Sequence, residues 1–112
     1  RNQPKDNAMS TRSIICAETL NGDNVGVYCH YDGYPDNMLP ILKEMSHDKV
    51  ADMIADGIKN GGLRMIKSSS CYETFQEPGE DMSGSFSEVG EMGTEYAYLK
   101  KLDGSVLIAG RW

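Results

Sequence analysis

The sequence predicts a small α+β domain: an antiparallel sheet made of two hairpins, with two helices packed on one face. Three observations predict it. Two β-prone runs flank Asn21-Gly22-Asp23-Asn24, and two more flank Asp103-Gly104; these turn residues tolerate the positive φ that tight hairpins require. Between the hairpins, residues 38–45 and 50–58 repeat their apolar side chains at helical intervals. Strands and helices are thus segregated along the chain, as in α+β rather than alternating α/β folds.

The first hairpin carries Ile14, Ile15, Cys16, Ala17 and Leu20 in one arm and Val25, Val27, Tyr28, Cys29 and Tyr31 in the other. A turn centred on Gly22-Asp23 sets Cys16 opposite Cys29; one centred on Asn21-Gly22 sets it opposite Val27. Strand alternation then points Ile14, Cys16, Glu18 and Leu20 into the core with Val25, Val27, Cys29 and Tyr31, leaving Thr19, Tyr28 and His30 on the other face. The stretch Asp32-Gly33-Tyr34-Pro35-Asp36-Asn37 reads as a loop. Asn37 is expected to cap a helix with Met38, Leu39 and Pro40 in its first turn, where a proline loses no hydrogen bond. Leu39, Leu42 and Met45, flanked by Met38 and Ile41, form its face. Ser46 or Asp48 starts the second helix, whose face is Val50, Met53, Ile54 and Ile58, and Gly61 or Gly62 stops it. One short strand is expected at 63–66. Residues 71–93 read as a long loop with at most one short strand near Phe86. Arms at 94–102 and 105–112 close the fold, carrying Tyr96, Tyr98, Val106, Leu107 and Ile108.

The chain has 112 residues, the size of a single domain with one modest core. Residues 1–8 are polar and patternless and read as an expression leader, with Met9 as the native start, or as a natural disordered tail; residues 9–112 form the domain. The longest apolar run, at 106–109, is far short of the about 20 residues a membrane span needs, and no secretory leader is expected. Three cysteines in no CxxC spacing suggest reduced, buried side chains at Cys16 and Cys29 rather than a disulfide framework or zinc site. The net charge of −6 argues against direct nucleic-acid binding. There is no GxGxxG, phosphate-binding loop, GxSxG or zinc signature, and Gly90-Glu91-Met92-Gly93 is too short and acidic to cradle phosphate. No enzyme activity and no cofactor are expected.

The run Val27-Tyr28-Cys29-His30-Tyr31-Asp32-Gly33-Tyr34-Pro35 resembles a Tyr-Cys-His-Trp-Asp-Gly-Tyr-Pro motif of small, uncharacterised phage and prophage proteins, with Tyr31 in place of the tryptophan. The Thr11-Arg12-Ser13 start and the closing aromatic hairpin are also similar. The likeness covers about residues 11–45. It brings no known activity; it implies a phage-encoded protein working in bacterial cytoplasm.

Two groups of candidate binding residues follow. Tyr28, His30, Asp32 and Tyr34 occupy the motif, where a hairpin-to-helix corner already accounts for most of the residues: Gly33 for tight backbone, Tyr34-Pro35 for an extended approach, Asp32 for accepting turn amides. The chemical alternative joins His30 and Asp32 with Asp36 and His47 as a metal or acid–base cluster, without HExxH or HxH spacing to support it. Cys71 has the chemistry of a nucleophile but no motif around it. The second group is acidic: Glu73, Glu77, Glu80, Asp81, Glu88, Glu91 and Glu95 lie between Lys67 and Lys100 with no base among them. The remainder of the chain has ten acids and eleven bases, so this segment carries the net charge. Asp48, Asp52 and Asp56 add a carboxylate stripe at i, i+4 spacing. Solubility alone explains such a segment; so does recognition of a basic groove on a partner.

The expected function is a non-enzymatic phage or prophage accessory protein that binds a host protein, an acidic inhibitor of a defence or nucleic-acid-handling protein. The alternative is a binder of a small nucleotide-like ligand, with Tyr28, His30 and Tyr34 for stacking and Lys67, Lys100, Lys101 and Arg111 as the anionic contacts. A small enzyme using His30 with Asp32 or Cys71 ranks last. Pairing of sheet edges between copies leaves room for a homo-oligomer.

Overall fold

The computed structural model describes residues 11–110; residues 1–8, Met9, Arg111 and Trp112, on which some expectations rest, lie outside them. The chain runs β1 (Ser13–Glu18), β2 (Asn24–Cys29), α1 (Pro35–Glu44), α2 (His47–Lys59), β3 (Leu63–Ser68), β4 (Cys71–Thr74), β5 (Ser83–Gly84), two 3₁₀ turns (Phe86–Glu88 and Glu91–Gly93), β6 (Tyr96–Lys100) and β7 (Val106–Gly110). The α+β class and both hairpins are present. The sheet, however, is mixed rather than antiparallel, in the order β4-β3-β2-β1-β6-β7 with β5 beside β2. β1 pairs β6 in parallel over Ser13 to Ala17, and β2 meets β3 in parallel at Cys29 and Leu63.

β1 is central, and it is covered on both sides. The helices lie over one face, packing Met38, Leu42, Val50, Met53 and Ile54 against Ile15, Ala17, Val27, Cys29 and Tyr98. On the other face Phe86 and Val89 cover Ile14, Cys16 and Ala97. A strand buried on both faces reads as a continuous apolar run, so alternation cannot say which side its residues take. Here that run is Ile14-Ile15-Cys16-Ala17, none more than 1% exposed.

For this reason and because of the turn, the register differs from both expected ones, by three residues from the Gly22-Asp23 centre and by one from the Asn21-Gly22 centre. Thr19 N–H donates to the Asp23 carbonyl and Gly22 N–H to the Thr19 carbonyl, with Gly22 at φ 90°. This odd-length loop pairs Cys16 with Gly26 and Ser13 with Cys29, whereas a two-residue turn at either expected centre gives other partners. Cys16 and Cys29 therefore point to opposite faces and do not meet. Val25 and Leu20, expected in the core, are exposed, and Tyr28 is buried instead. The second hairpin repeats the same loop: Lys101 N–H to Ser105, Gly104 N–H to Lys101, and Gly104 at φ 92°.

Helix α1 starts earlier than its expected Asn37 cap. Tyr34 is the capping residue and Pro35 occupies the first turn, which leaves Pro40 inside the helix. The Asn37 amide instead donates to the Asp32 carbonyl at 2.8 Å. Helix α2 begins as expected, with Ser46 Oγ accepting from Lys49 N–H, and stops at Asn60-Gly61-Gly62, where Gly62 N–H reaches the Gly57 carbonyl. The predicted long loop at 71–93 is substantially built: β4 extends the sheet, β5 pairs β2, and the stretch near Phe86 is a 3₁₀ turn rather than a strand.

Candidate functional site

The motif residues form the corner between β2 and α1, and the structure assigns most of them to that corner. Cys29 is fully buried, its thiol pushed up to about 12, chiefly by desolvation. The left-handed residue is Asp32, at φ 57°, and not Gly33. Gly33 is required for a different reason: a Cβ there would stand 2.5 Å from Ser13 Oγ and 2.9 Å from the Thr11 carbonyl. Its own N–H and carbonyl are both used, by the Thr11 carbonyl and by the buried Tyr98 hydroxyl at 2.6 Å. The turn uses the Asp32 carbonyl as acceptor, and burial raises the carboxyl's pKa. The Tyr34 carbonyl receives the first amides of α1, from Asn37 and Met38.

Tyr28 and His30 turn to the face opposite the helices. The Tyr28 hydroxyl lies 2.6 Å from His30 Nδ1; burial raises its pKa, and the nearby Arg12 guanidinium opposes that shift. Burial first, then the guanidiniums of Arg12 and Arg64, lower the imidazole's pKa. A neutral ring whose Nδ1 accepts from the phenol carries its proton on Nε2, where it is a free donor. Tyr31 and Phe75 meet the ring edge-on, with centroids at 4.5 and 5.7 Å. Arg64 lies over the Tyr31 ring at 5.8 Å. Arg12, Arg64 and Phe75 are the residues that sequence reasoning missed; Arg64 and Phe75 lie far along the chain from the motif and Arg12 on the preceding strand's approach, and only strand pairing brings them to it.

Three clefts border Tyr28, Tyr31, Arg64 and Phe75 of this group, with Arg12 and His30 outside their linings. A cleft of about 610 Å³ runs along β4 between Asp56, Arg64, Glu73 and Phe75. One of about 310 Å³ lies between Tyr31, Asp32, Arg64 and Glu73. A third, about 230 Å³, joins Tyr28 and Phe75 to Glu77 and Glu80.

His47 is not part of this arrangement. Its Nε2 sits 2.7 Å from the Glu18 carbonyl, at the end of β1. Because β1 and β2 are antiparallel, that end lies on the order of 20 Å from His30, six residues of strand away. The metal or acid–base cluster expected as one chemical alternative is therefore not assembled, and no group of three His, Cys, Asp or Glu that could hold a metal is found among the described residues. Cys71 is exposed at the start of β4, remote in the chain from either histidine.

The acidic segment divides. Glu73 is neutralised: Lys67 Nζ stands 2.7 Å from it and Arg64 Nε 3.8 Å, and the Lys67 bond lowers its pKa. Asp81 accepts from the Ser83 hydroxyl and amide, and Glu88 from the Ser85 amide. Glu77, Glu80, Asp81, Glu88, Glu91 and Glu95 have no basic partner among the described residues. Their backbone is fixed. Glu77 N–H bonds the Asn60 carbonyl, Tyr28 N–H bonds Met82, and Phe86 N–H bonds the Asn24 side chain at 2.8 Å. The helical stripe does not join them. Asp48, Asp52 and Asp56 belong to α2, in the layer over the opposite sheet face, and Asp56 is bound by Tyr72 and Asn60.

The cations expected to contact an anion are also placed elsewhere. Lys67 holds Glu73. Lys100 is 2% exposed and spends its ammonium on the Leu42 and Gly104 carbonyls, and Lys101 stands in the β6–β7 loop. No family model, no curated protein and no solved structure matches the chain.

Proposed function

We propose that the chain is a non-enzymatic phage or prophage accessory protein of the bacterial cytoplasm that binds a basic surface on a host protein. The observation that supports this reading is the acidic ledge at 77–95, where six carboxylates without basic partners among the described residues sit on backbone pinned to β2 and to the end of α2. Charges held on fixed backbone need little ordering when a partner arrives, so less of the interaction energy goes into immobilising the chain. Complementary charge raises the association rate and is screened over about 8 Å at physiological salt. Such a complex, captured from host lysate at low salt, is expected to elute by about 0.5 M sodium chloride. A partner that stays bound through that gradient contradicts a charge-driven interface.

A further inference from the structure

We propose that the His30 corner, which adjoins the acidic ledge at Glu77 and Glu80, is a second binding site, and that its ligand is a nucleotide: a phosphate group held by Arg12, Arg64 and His30 Nε2–H, with an aromatic base against Phe75 and Tyr31. The guanidiniums have charge to spare. No carboxylate pairs with Arg12 among the described residues, and the one near Arg64 is 3.8 Å from Nε and already held by Lys67 at 2.7 Å. Arg12 stands beside the Tyr28 phenol and packs over Gly93, where a Cβ would stand 3.1 Å from its terminal nitrogen.

The phenol fixes the imidazole through Nδ1 at 2.6 Å; with the phenol as donor, the ring's proton sits on Nε2 and points in one direction. No described residue accepts from it. Donors of this kind, two planar guanidinium forks and one imidazole N–H, match phosphate oxygens. The rings of Tyr31 and Phe75 border the clefts of about 310 and 610 Å³, within the usual roughly 300–1,000 Å³ for small-ligand sites. Base stacking on such rings contributes without reading base identity. Of the neighbouring carboxylates, Glu73 is paired with Lys67, Asp56 is bound by Tyr72 and Asn60, and Asp32 is partly desolvated, while Glu77 and Glu80 line the adjoining cleft with Tyr28 and Phe75.

Calorimetry on the full chain with the four nucleoside 5′-monophosphates, their nucleosides and inorganic phosphate tests this. Saturable binding of at least one monophosphate is expected, at least tenfold tighter than its nucleoside and than phosphate alone. Arg12→Ala and Arg64→Ala should each weaken it about tenfold or more. Both arginines are exposed, so an unchanged thermal midpoint verifies that the variants fold. His30→Phe, which keeps an aromatic ring and removes both nitrogens, should weaken it as well. Flat titrations throughout overturn the proposal. So does inorganic phosphate binding as tightly as the nucleotide, or affinity unchanged in both arginine variants.

Discussion

A Cβ at Gly33 would have to share space with Ser13, whose Oγ and Cβ stand 2.5 and 2.7 Å from it. Neither atom belongs to a flexible tip, because Ser13 lies in the central strand with 0% exposure. Overpacking of this kind costs about 1–3 kcal/mol, so Gly33→Ala should lower the urea midpoint accordingly; an unchanged midpoint contradicts the packing. His30 makes an opposite kind of prediction. Its folded pKa is lowered, first by burial and then by Arg12 and Arg64, so the unfolded chain binds more protons below the ordinary value of about 6.5. Stability is then lost as pH falls through that region and is regained above it. His30→Gln should lose less stability than the wild type between pH 7.5 and 5.5 in denaturant titrations, and equal losses would remove the effect. The turn residues were legible in the sequence because their reasons are local. The role of Gly33 was not, since its neighbour Ser13 lies twenty positions away in the chain.

The two hairpin turns, both helices and the ends of α2 were the most legible elements, whereas the start of α1 was not. Ser46, Gly61, Gly62 and both Gly-containing turns do what their chemistry suggests. Gly22 and Gly104 take φ near 90°, and a methyl added at either would meet open space, with nothing within 4 Å. Backbone strain is thereby isolated from packing at these two positions. Gly22→Ala and Gly104→Ala should therefore each cost about 1 kcal/mol by denaturant unfolding; a larger loss at either would mean that the loop makes contacts beyond its own turn. Register was not legible. A central strand with both faces covered offers no polar side, and a one-residue slip exchanges every side chain between faces. β4 was missed, and β5 was expected only as a short strand near Phe86, because Tyr72 and Ser83 draw their strand character from pairing partners rather than from local pattern.

For the whole molecule, the parallel joining of β1 to β6 brings the first and last hairpins into one sheet. No local signal records a pairing between residues some eighty positions apart. The same topology places the acidic segment over the second face, where Phe86 and Val89 anchor it to Ile14 and Cys16. It also gathers Arg12, His30, Arg64 and Phe75 from separate parts of the chain, only one of which the sequence had singled out. The charge imbalance was plain from composition. Its arrangement needed the fold, which sets six carboxylates without basic partners among the described residues on a fixed ledge and the stripe of α2 on the opposite layer. The most direct measurement immobilises the full wild-type chain beside a Glu77→Lys, Glu80→Lys, Asp81→Lys triple variant, passes host lysate over both at low salt, and identifies retained proteins by mass spectrometry. One stoichiometric host protein held by the wild type and lost from the folded variant is the predicted result. Equal retention on both, or nothing retained by the wild type, would contradict an interface built on the acidic ledge.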